Sequence, residues 1–348
     1  MNKKIIFGVN QVASRNLSDL VRTTKFLEEQ KFDRIWFADI GFARDNIVTV
    51  CNILSNTRRI EVGPGVINPY TRHPLTIGIT MATLGDIAPN RVVMAIGSGD
   101  RHIFGLFGIE MKMPIATVRE AVIIIRQLLE NKEVNFDGRI FKVKGAKLYF
   151  ENKSKIPIYI AGKGKKMIQL AGEVGDGAYL DAMPIELMPY VHELLQKGAA
   201  KSKKGKLDDF TIANVIPLSI DEDIDVAYEN VKSLVVYAAA SIHKYQAEIL
   251  KLDADVLTNI KNAFPNIKKA SEYVTEEIIQ YFTISGTPED CIKKIPNRFL
   301  LVNMVAKRVR QIREGSEYLV SSPKNEDIVV ALREIADGKI VVKEDKEE

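Results

Sequence analysis

Three short stretches carry the groups that could do chemistry. IEVGPGVINPYTRHP (60–74) ends an apolar run with Gly63-Pro64-Gly65-Val66 and then offers Asn68, Tyr70, Arg72 and His73. AIGSGD (95–100) closes another with Gly97, Ser98, Gly99 and Asp100. AGKGKK (161–166) sets Gly162, Lys163 and Gly164 ahead of two further lysines. Glycine lets a ligand approach the backbone closely because it has no Cβ. Asp100 is then either within reach of that ligand or the cap of a following helix. Exposed backbone N–H groups beside lysine charge, between a strand and a helix, suit a phosphate, although a plain turn with surface lysines would read the same way. Asp39 and the Asn10-Gln11 pair stand at two more strand ends.

Those groups do not assemble a protein-only catalytic machine. The histidines are His73, His102, His192 and His243, and no Ser/His/Asp set or Gly-x-Ser-x-Gly elbow can be built from them. No pair of histidines with a carboxylate has the spacing of a metal site, so no metal is expected. Difficult chemistry then falls to a bound organic cofactor.

The elements that must position these residues follow from the apolar period. Strands are expected at 3–10, 33–39, 59–65, 91–100, 157–162, 177–184, 210–220 and 317–322, and helices at 17–30, 46–56, 75–87, 115–131, 165–174, 185–200, 225–240 and 325–336. Asp137-Gly138 between alternating segments marks a hairpin excursion near 133–152. Residues 241–316 read as a mostly helical insertion, with a helix starting at Thr287-Pro288, and 341–348 as a charged tail. Strands that are almost continuously apolar belong to a parallel sheet covered on both faces. About eight strand–helix units over residues 1–340 fit one (β/α)₈ TIM-barrel domain, whose chemistry sits where strands run into their following loops. A doubly wound sheet is the alternative, but the Gly-x-Gly-x-x-Gly turn it would carry after the first strand is absent.

The whole chain narrows the classes further. It has 348 residues, 46% hydrophobic and 27% charged, with a formal net charge of +4. That charge is too small for this length to argue for nucleic acid or a membrane surface, and the lysine-rich run 197–206 lacks interleaved aromatics and reads as a solvated loop. Cys51 and Cys291 are the only cysteines. Their separation argues for reduced thiols in a cytoplasmic protein. The N-terminal MNKKIIFGVNQ lacks the apolar core of a signal peptide.

With those residues in view, GPGVINPYTRHP, MATLGDIAPNRVVMAIGSGD and FGIE resemble the bacterial-luciferase-like monooxygenase superfamily. The resemblance is closest to its deazaflavin-dependent branch, the 5,10-methylenetetrahydromethanopterin reductases, and runs from the first strand to about Ala182. It resumes at SGTPEDCIKKI (285–295) and YLVSSP (318–323). The resemblance implies a luciferase-like barrel with insertions that holds coenzyme F420. It also implies a non-prolyl cis peptide at Gly65–Val66, forming a bulge behind the deazaflavin ring. Asp39 and Asn68 would lie by the polar edge of the ring, Ser98 by the cofactor, and Gly162, Lys163 and Gly164 by its phosphate tail. The implied reaction is hydride transfer between the reduced deazaflavin and a one-carbon-carrying pterin.

Two positions depart from the pattern. Asn10 stands where the reductases carry a glutamate, so proton handling there would be lost or pass to Asp100. Ile40 stands where they carry a histidine. Two other readings remain beside the reductase: an FMN-dependent luciferase-like monooxygenase, and a barrel that has lost catalysis and serves in binding. The resemblance further implies a homo-oligomer, a dimer or tetramer paired through helices beside the second and third strands.

Overall fold

The computed structural model describes residues 6–202, 205, 207–221 and 223–286. The start of the first expected strand, Cys291, the helix expected from Thr287, the strand expected at 317–322, the helix at 325–336 and the tail lie outside the described residues. The chain divides into two compact units, residues 1–215 and 216–348.

The first unit alternates strands and helices. In order they are β1 (Gly8–Val12), α1 (Leu17–Glu29), β2 (Arg34–Ala38), α2 (Asn46–Asn56), β3 (Glu61–Ile67), α3 (Pro74–Ile87), β4 (Met94–Gly97), α4 (Arg101–Leu106), α5 (Pro114–Leu129), β5 (Val134–Asp137), β6 (Lys142–Ala146), β7 (Ile158–Ala161), α6 (Lys165–Val174), β8 (Gly177–Asp181), α7 (Met188–Ala199) and β9 (Thr211–Val215). Seven strands form one parallel sheet in the order β1-β2-β3-β4-β7-β8-β9. The sheet curls into a nearly closed barrel of the expected (β/α)₈ TIM type. Among the described residues no further strand pairs with the outer edges of β1 and β9.

Local chemistry starts several of the helices where the sequence places them. Asn16 caps α1 by accepting from the Asp19 N–H at 2.8 Å, and Asp45 caps α2 by accepting from the N–H groups of Ile47 and Val48. Pro74 and Pro114 open α3 and α5 at positions that need no N–H partner. The six-residue α4 has no counterpart in the sequence reading, because a helix this short shows no apolar period. The first strand is also displaced: it runs to Val12, so Asn10 lies within it, paired with Trp36.

The expected hairpin is the antiparallel pair β5–β6. The buried Glu120 on α5 holds its turn by accepting from the N–H groups of Arg139, Ile140 and Phe141 at 2.8, 2.9 and 3.0 Å. Burial pushes the Glu120 carboxyl up, but these three donors outweigh it and leave the group below its ordinary value.

The second unit, where described, holds β10 (Leu218–Ile220), α8 (Ile224–Ala240), α9 (Lys244–Leu250), α10 (Ala254–Ala263), α11 (Ile267–Ser271), α12 (Glu276–Phe282) and β11 (Ile284–Gly286). The strand expected over 210–220 is broken before Leu218, where Ile216-Pro217 separates β9 from β10, since proline has no N–H for the ladder. β10 pairs in parallel with β11. Between them α10, α11 and α12 pack on α8, which buries Val231, Val235, Val236 and Ala239. Residues 244–282 are thus predominantly helical, as the absence of strand pattern indicates. Among the described residues no helix is long and apolar enough to cross a membrane.

Glu120 yields a test with a defined sign. A carboxyl whose value is lowered on folding stabilises above its unfolded value and ceases to do so as the pH falls through the folded one. Glu120→Ala is expected to cost roughly 2–3 kcal/mol at pH 7. Thermal melts of the two proteins should converge as the pH is lowered through the acidic range, whereas a gap independent of pH would contradict the assignment.

Candidate active site

The candidate site grows out of the interior of the first unit. Strand partners in a parallel pair point to the same face, so Asn10, Trp36 and Gly63 share one face. Trp36 identifies that face as the interior, because it meets Tyr159 and Tyr179 edge-on with ring centroids 5.4 and 5.2 Å away. Trp36, Val93, Ala95, Tyr159, Ala161 and Tyr179 form one buried cluster, with Val66, Ala213 and Val215 packed against it. Three large aromatic rings fit because Gly65, Ala95 and Ala161 beside them are small.

At the closed end of this cluster Arg34 is buried. Its Nε donates to Glu61 Oε2 at 2.7 Å and its Nη1 to the Tyr159 hydroxyl at 2.7 Å. The guanidinium carbon also lies 5.4 Å from the Trp36 ring centroid and 5.1 Å from that of Tyr159. Although burial disfavours the charge, Tyr159 and Glu61 hold the Arg34 value above its ordinary one.

At the open end β3 breaks its register with β4. Gly65 pairs with Ala95 and Ile67 with Ile96, leaving Val66 as the extra residue of a bulge. The Gly65–Val66 peptide is cis, at the position the resemblance implies. Beneath it a Cβ on Gly65 would stand 3.0 Å from the Tyr179 hydroxyl and 3.1 Å from Trp36 Cβ. The Tyr179 hydroxyl donates to the Gly65 carbonyl at 3.5 Å, a long contact that orients more than it binds. Burial, with Asp181 adding to it, pushes the Tyr179 phenol up, so it stays neutral. Beside the bulge, a Cβ on Gly97 would stand 3.2 Å from Val66 Cγ1. Val66 therefore forms a half-exposed ledge over the aromatic cluster.

Around this ledge the parallel strands gather the ends expected from sequence, in four settings. After β2, Asp39 is raised above its ordinary value: removal of hydration leads, and repulsion from Asp45 adds to it, against the Gly41 N–H and Arg72. Arg72 bonds Asp45, linking this loop to the one after β3. After β3, Asn68 is buried and its carbonyl oxygen accepts from the Tyr70 N–H, the Thr71 N–H and the Thr71 hydroxyl at 3.1, 2.9 and 3.1 Å. That oxygen is engaged in holding the loop. After β4, Ser98 is half-buried and Asp100 exposed. Asp100 caps α4 by accepting from the His102 N–H at 2.7 Å, so the capping alternative applies to one of its oxygens.

The loop after β7 carries the fourth setting. Gly164 caps α6 in extended conformation and supplies no side-chain acceptor to the first-turn N–H groups. Lys163 Nζ lies 3.0 Å from Asp181 Oδ2 at the end of β8. Lys165 Nζ lies 5.4 Å from the Tyr190 ring centroid. The donors here are cationic or backbone N–H, a set suited to a phosphate. Asn10, exposed on the interior face of β1, completes the ring. Among the described residues no group of three or more His, Cys, Asp or Glu side chains could hold a metal.

Sequence reasoning had no access to Trp36, Tyr179 and Arg34, which read as ordinary strand residues. Their role comes from which strands become neighbours. It also passed over Asp181 as the partner of Lys163, although both stand at strand–loop junctions.

The comparisons with known proteins agree with this geometry. Residues 5–299 match the family described as luciferase-like monooxygenase. Over 296 residues the chain is 36% identical to the 5,10-methylenetetrahydromethanopterin reductase of Archaeoglobus fulgidus, covering 83% of this chain and 88% of that protein. It is 28% identical over 281 residues to the F420-dependent glucose-6-phosphate dehydrogenase of Kineococcus radiotolerans, covering 76% and 78%. The solved structure of the coenzyme F420-dependent tetrahydromethanopterin reductase of Methanopyrus kandleri superposes with a TM-score of 0.76 at 24% identity, covering 95% of this chain and 97% of that one. A second family appears at the C-terminus: residues 290–341 match RNA polymerase Rpb6. Over 56 residues the chain is 80% identical to the DNA-directed RNA polymerase subunit omega of Desulfatibacillum aliphaticivorans, covering 16% of this chain and 82% of that protein. YLVSSP (318–323), read from sequence as a return of the luciferase-like pattern, lies beyond residue 299 and inside this second match.

The ledge makes a graded prediction. A Cβ on Gly63 would lie 1.8 Å from the Val93 carbonyl oxygen, which no side-chain adjustment relieves. Gly63→Ala should fail to give a cooperatively folded chain. At Gly65 the nearest atoms belong to side chains at 3.0–3.2 Å, so Gly65→Ala should fold with a loss of about 1–3 kcal/mol. Circular dichroism melts of the two variants distinguish these outcomes, and equal effects would contradict the packing described.

Proposed function

Because this chain belongs to the luciferase-like monooxygenase family, we propose that it is an F420-dependent oxidoreductase acting on a small molecule, and that its substrate is a one-carbon-carrying tetrahydropterin. The observation that carries this reading is the 36% identity to a methylenetetrahydromethanopterin reductase across 83% of the chain. The Val66 ledge and the cationic end of β7 support it.

Bound F420 would supply a two-electron hydride carrier on a flat ring with a phosphate-bearing tail. The ledge would support one face of that ring. Asp39 and the Asn68 amide nitrogen would address its polar edge, Ser98 its flank, and Gly162, Lys163 and Gly164 its tail. Asn10 cannot transfer a proton at neutral pH. Of the carboxyl groups at the mouth, both exposed, Asp39 is raised above its ordinary value by loss of hydration, while one oxygen of Asp100 is committed to capping α4. The exposed apolar side chains Val48 on α2 and Ile79 on α3 lie on the helices through which subunits would pair.

The C-terminal match supports a second activity within the same polypeptide. With 80% identity to an omega subunit over 56 residues, we infer that this segment docks on RNA polymerase.

Each reading has its test. Titration of the purified chain should give tight F420 binding and weak FMN binding, and reduced F420 should be oxidised on addition of methylenetetrahydromethanopterin. FMN binding without F420 binding would replace the coenzyme reading with the monooxygenase one. F420 binding with turnover of glucose 6-phosphate in place of the pterin would overturn the substrate alone. For the C-terminal segment, the full chain should co-sediment with purified RNA polymerase core and be displaced by free omega subunit. Failure to co-sediment would overturn that inference.

A further inference from the structure

The Lys163–Asp181 pair is lopsided. The Lys163 side chain is 17% exposed and that of Asp181 60%, with 3.0 Å between Nζ and Oδ2. The cation is enclosed by protein, while its counter-ion stands mostly in water. Both groups face the mouth: Asp181 follows Tyr179 by two residues on the interior-facing side of β8, and Lys163 follows Ala161 by two beyond β7. An exposed carboxylate that leaves such a pair regains its hydration readily, whereas an enclosed ammonium needs another anion in its place. The arrangement therefore favours exchange of one anion for another over opening of the pair.

Resting on the F420 reading above, we propose that Asp181 is the resident counter-ion of Lys163 and is displaced when the coenzyme's phosphate takes the lysine. The pair keeps Lys163 placed in the free protein until a phosphate replaces the carboxylate. A ligand with the same ring but no phosphate leaves Lys163 with Asp181. Asp181 thus competes with the coenzyme's phosphate for Lys163 at the tail end of the site and takes no part in the redox step. Its cost to F420 affinity is that of breaking one partly exposed ion pair, and it weakens as salt screens the charges.

The test is fluorescence-monitored binding of F420 and of its phosphate-free deazaflavin riboside to the full chain, at low and high salt. Asp181→Asn is expected to bind F420 about five-fold more tightly than wild type at low salt, with the gain shrinking at high salt and riboside affinity unchanged. Lys163→Met should weaken F420 and leave the riboside unaffected, and adding Asp181→Asn to it should give no further gain. The proposal is overturned if Asp181→Asn leaves F420 affinity unchanged or lowers it, or if it tightens the riboside equally. It is also overturned if the gain persists in the Lys163→Met background, since the effect would then be a general field of the mouth. If wild type binds F420 and riboside alike and Lys163→Met is indifferent, the coenzyme reading stands and the proposal is overturned, since Lys163 does not take the phosphate; if wild type binds no F420, the coenzyme reading fails and the proposal with it.

Discussion

The backbone of β3 lies against the edges of Trp36 and Tyr179, and the candidate site depends on that contact. Three aromatic side chains from β2, β7 and β8 cross the barrel interior. A side chain at Gly65 would meet Trp36 or Tyr179, and one at Gly63 would meet the backbone of Val93. The strand accommodates this by inserting Val66 and losing register with β4. What emerges at the mouth is an apolar ledge with rings packed below it, a rigid base for a flat ligand.

The two ends of the barrel use charge differently. At the closed end Arg34 is enclosed by Glu61, Tyr159 and Trp36, with the guanidinium itself buried and Glu61 partly open to solvent. Such an arrangement specifies packing, because removing one partner would strand a buried charge. At the mouth the carboxylates stand in water: Asp39, beside Asp45 and Arg72, is exposed, and so is Asp181, the partner of the enclosed Lys163. Barrels of this class place stability at one end and chemistry at the other, and the contrast in burial shows that division here.

The C-terminal matches give the chain two kinships. The luciferase-like match runs to residue 299 and the Rpb6 match begins at 290, so the two overlap on DCIKKIPNRF (290–299). The segment Thr287-Pro288-Glu289-Asp290-Cys291 has a helix-start signal, proline with acid in the first turn, and its first three residues precede the Rpb6 match. A helix start reports a local preference, and says nothing about which fold the helix belongs to.

The sequence by itself determined the parallel strand–helix alternation, the hairpin at Asp137-Gly138 and the glycine-lined strand ends. These are written in apolar period and turn chemistry, properties of neighbouring residues. It did not reveal α4, which is too short to show a period, or the break between β9 and β10 at Pro217. Nor did it separate two meanings of one residue type: Asp100 and Asn68 read as ligand groups, yet the loops engage Asp100 as a cap and the Asn68 oxygen as a three-bond acceptor. The tertiary structure alone decided that Trp36 and Tyr179 underlie Gly65, and that Lys163 faces Asp181. These are contacts between strands far apart in sequence, and strand order and register, which bring them together, are set by the packing of the whole barrel.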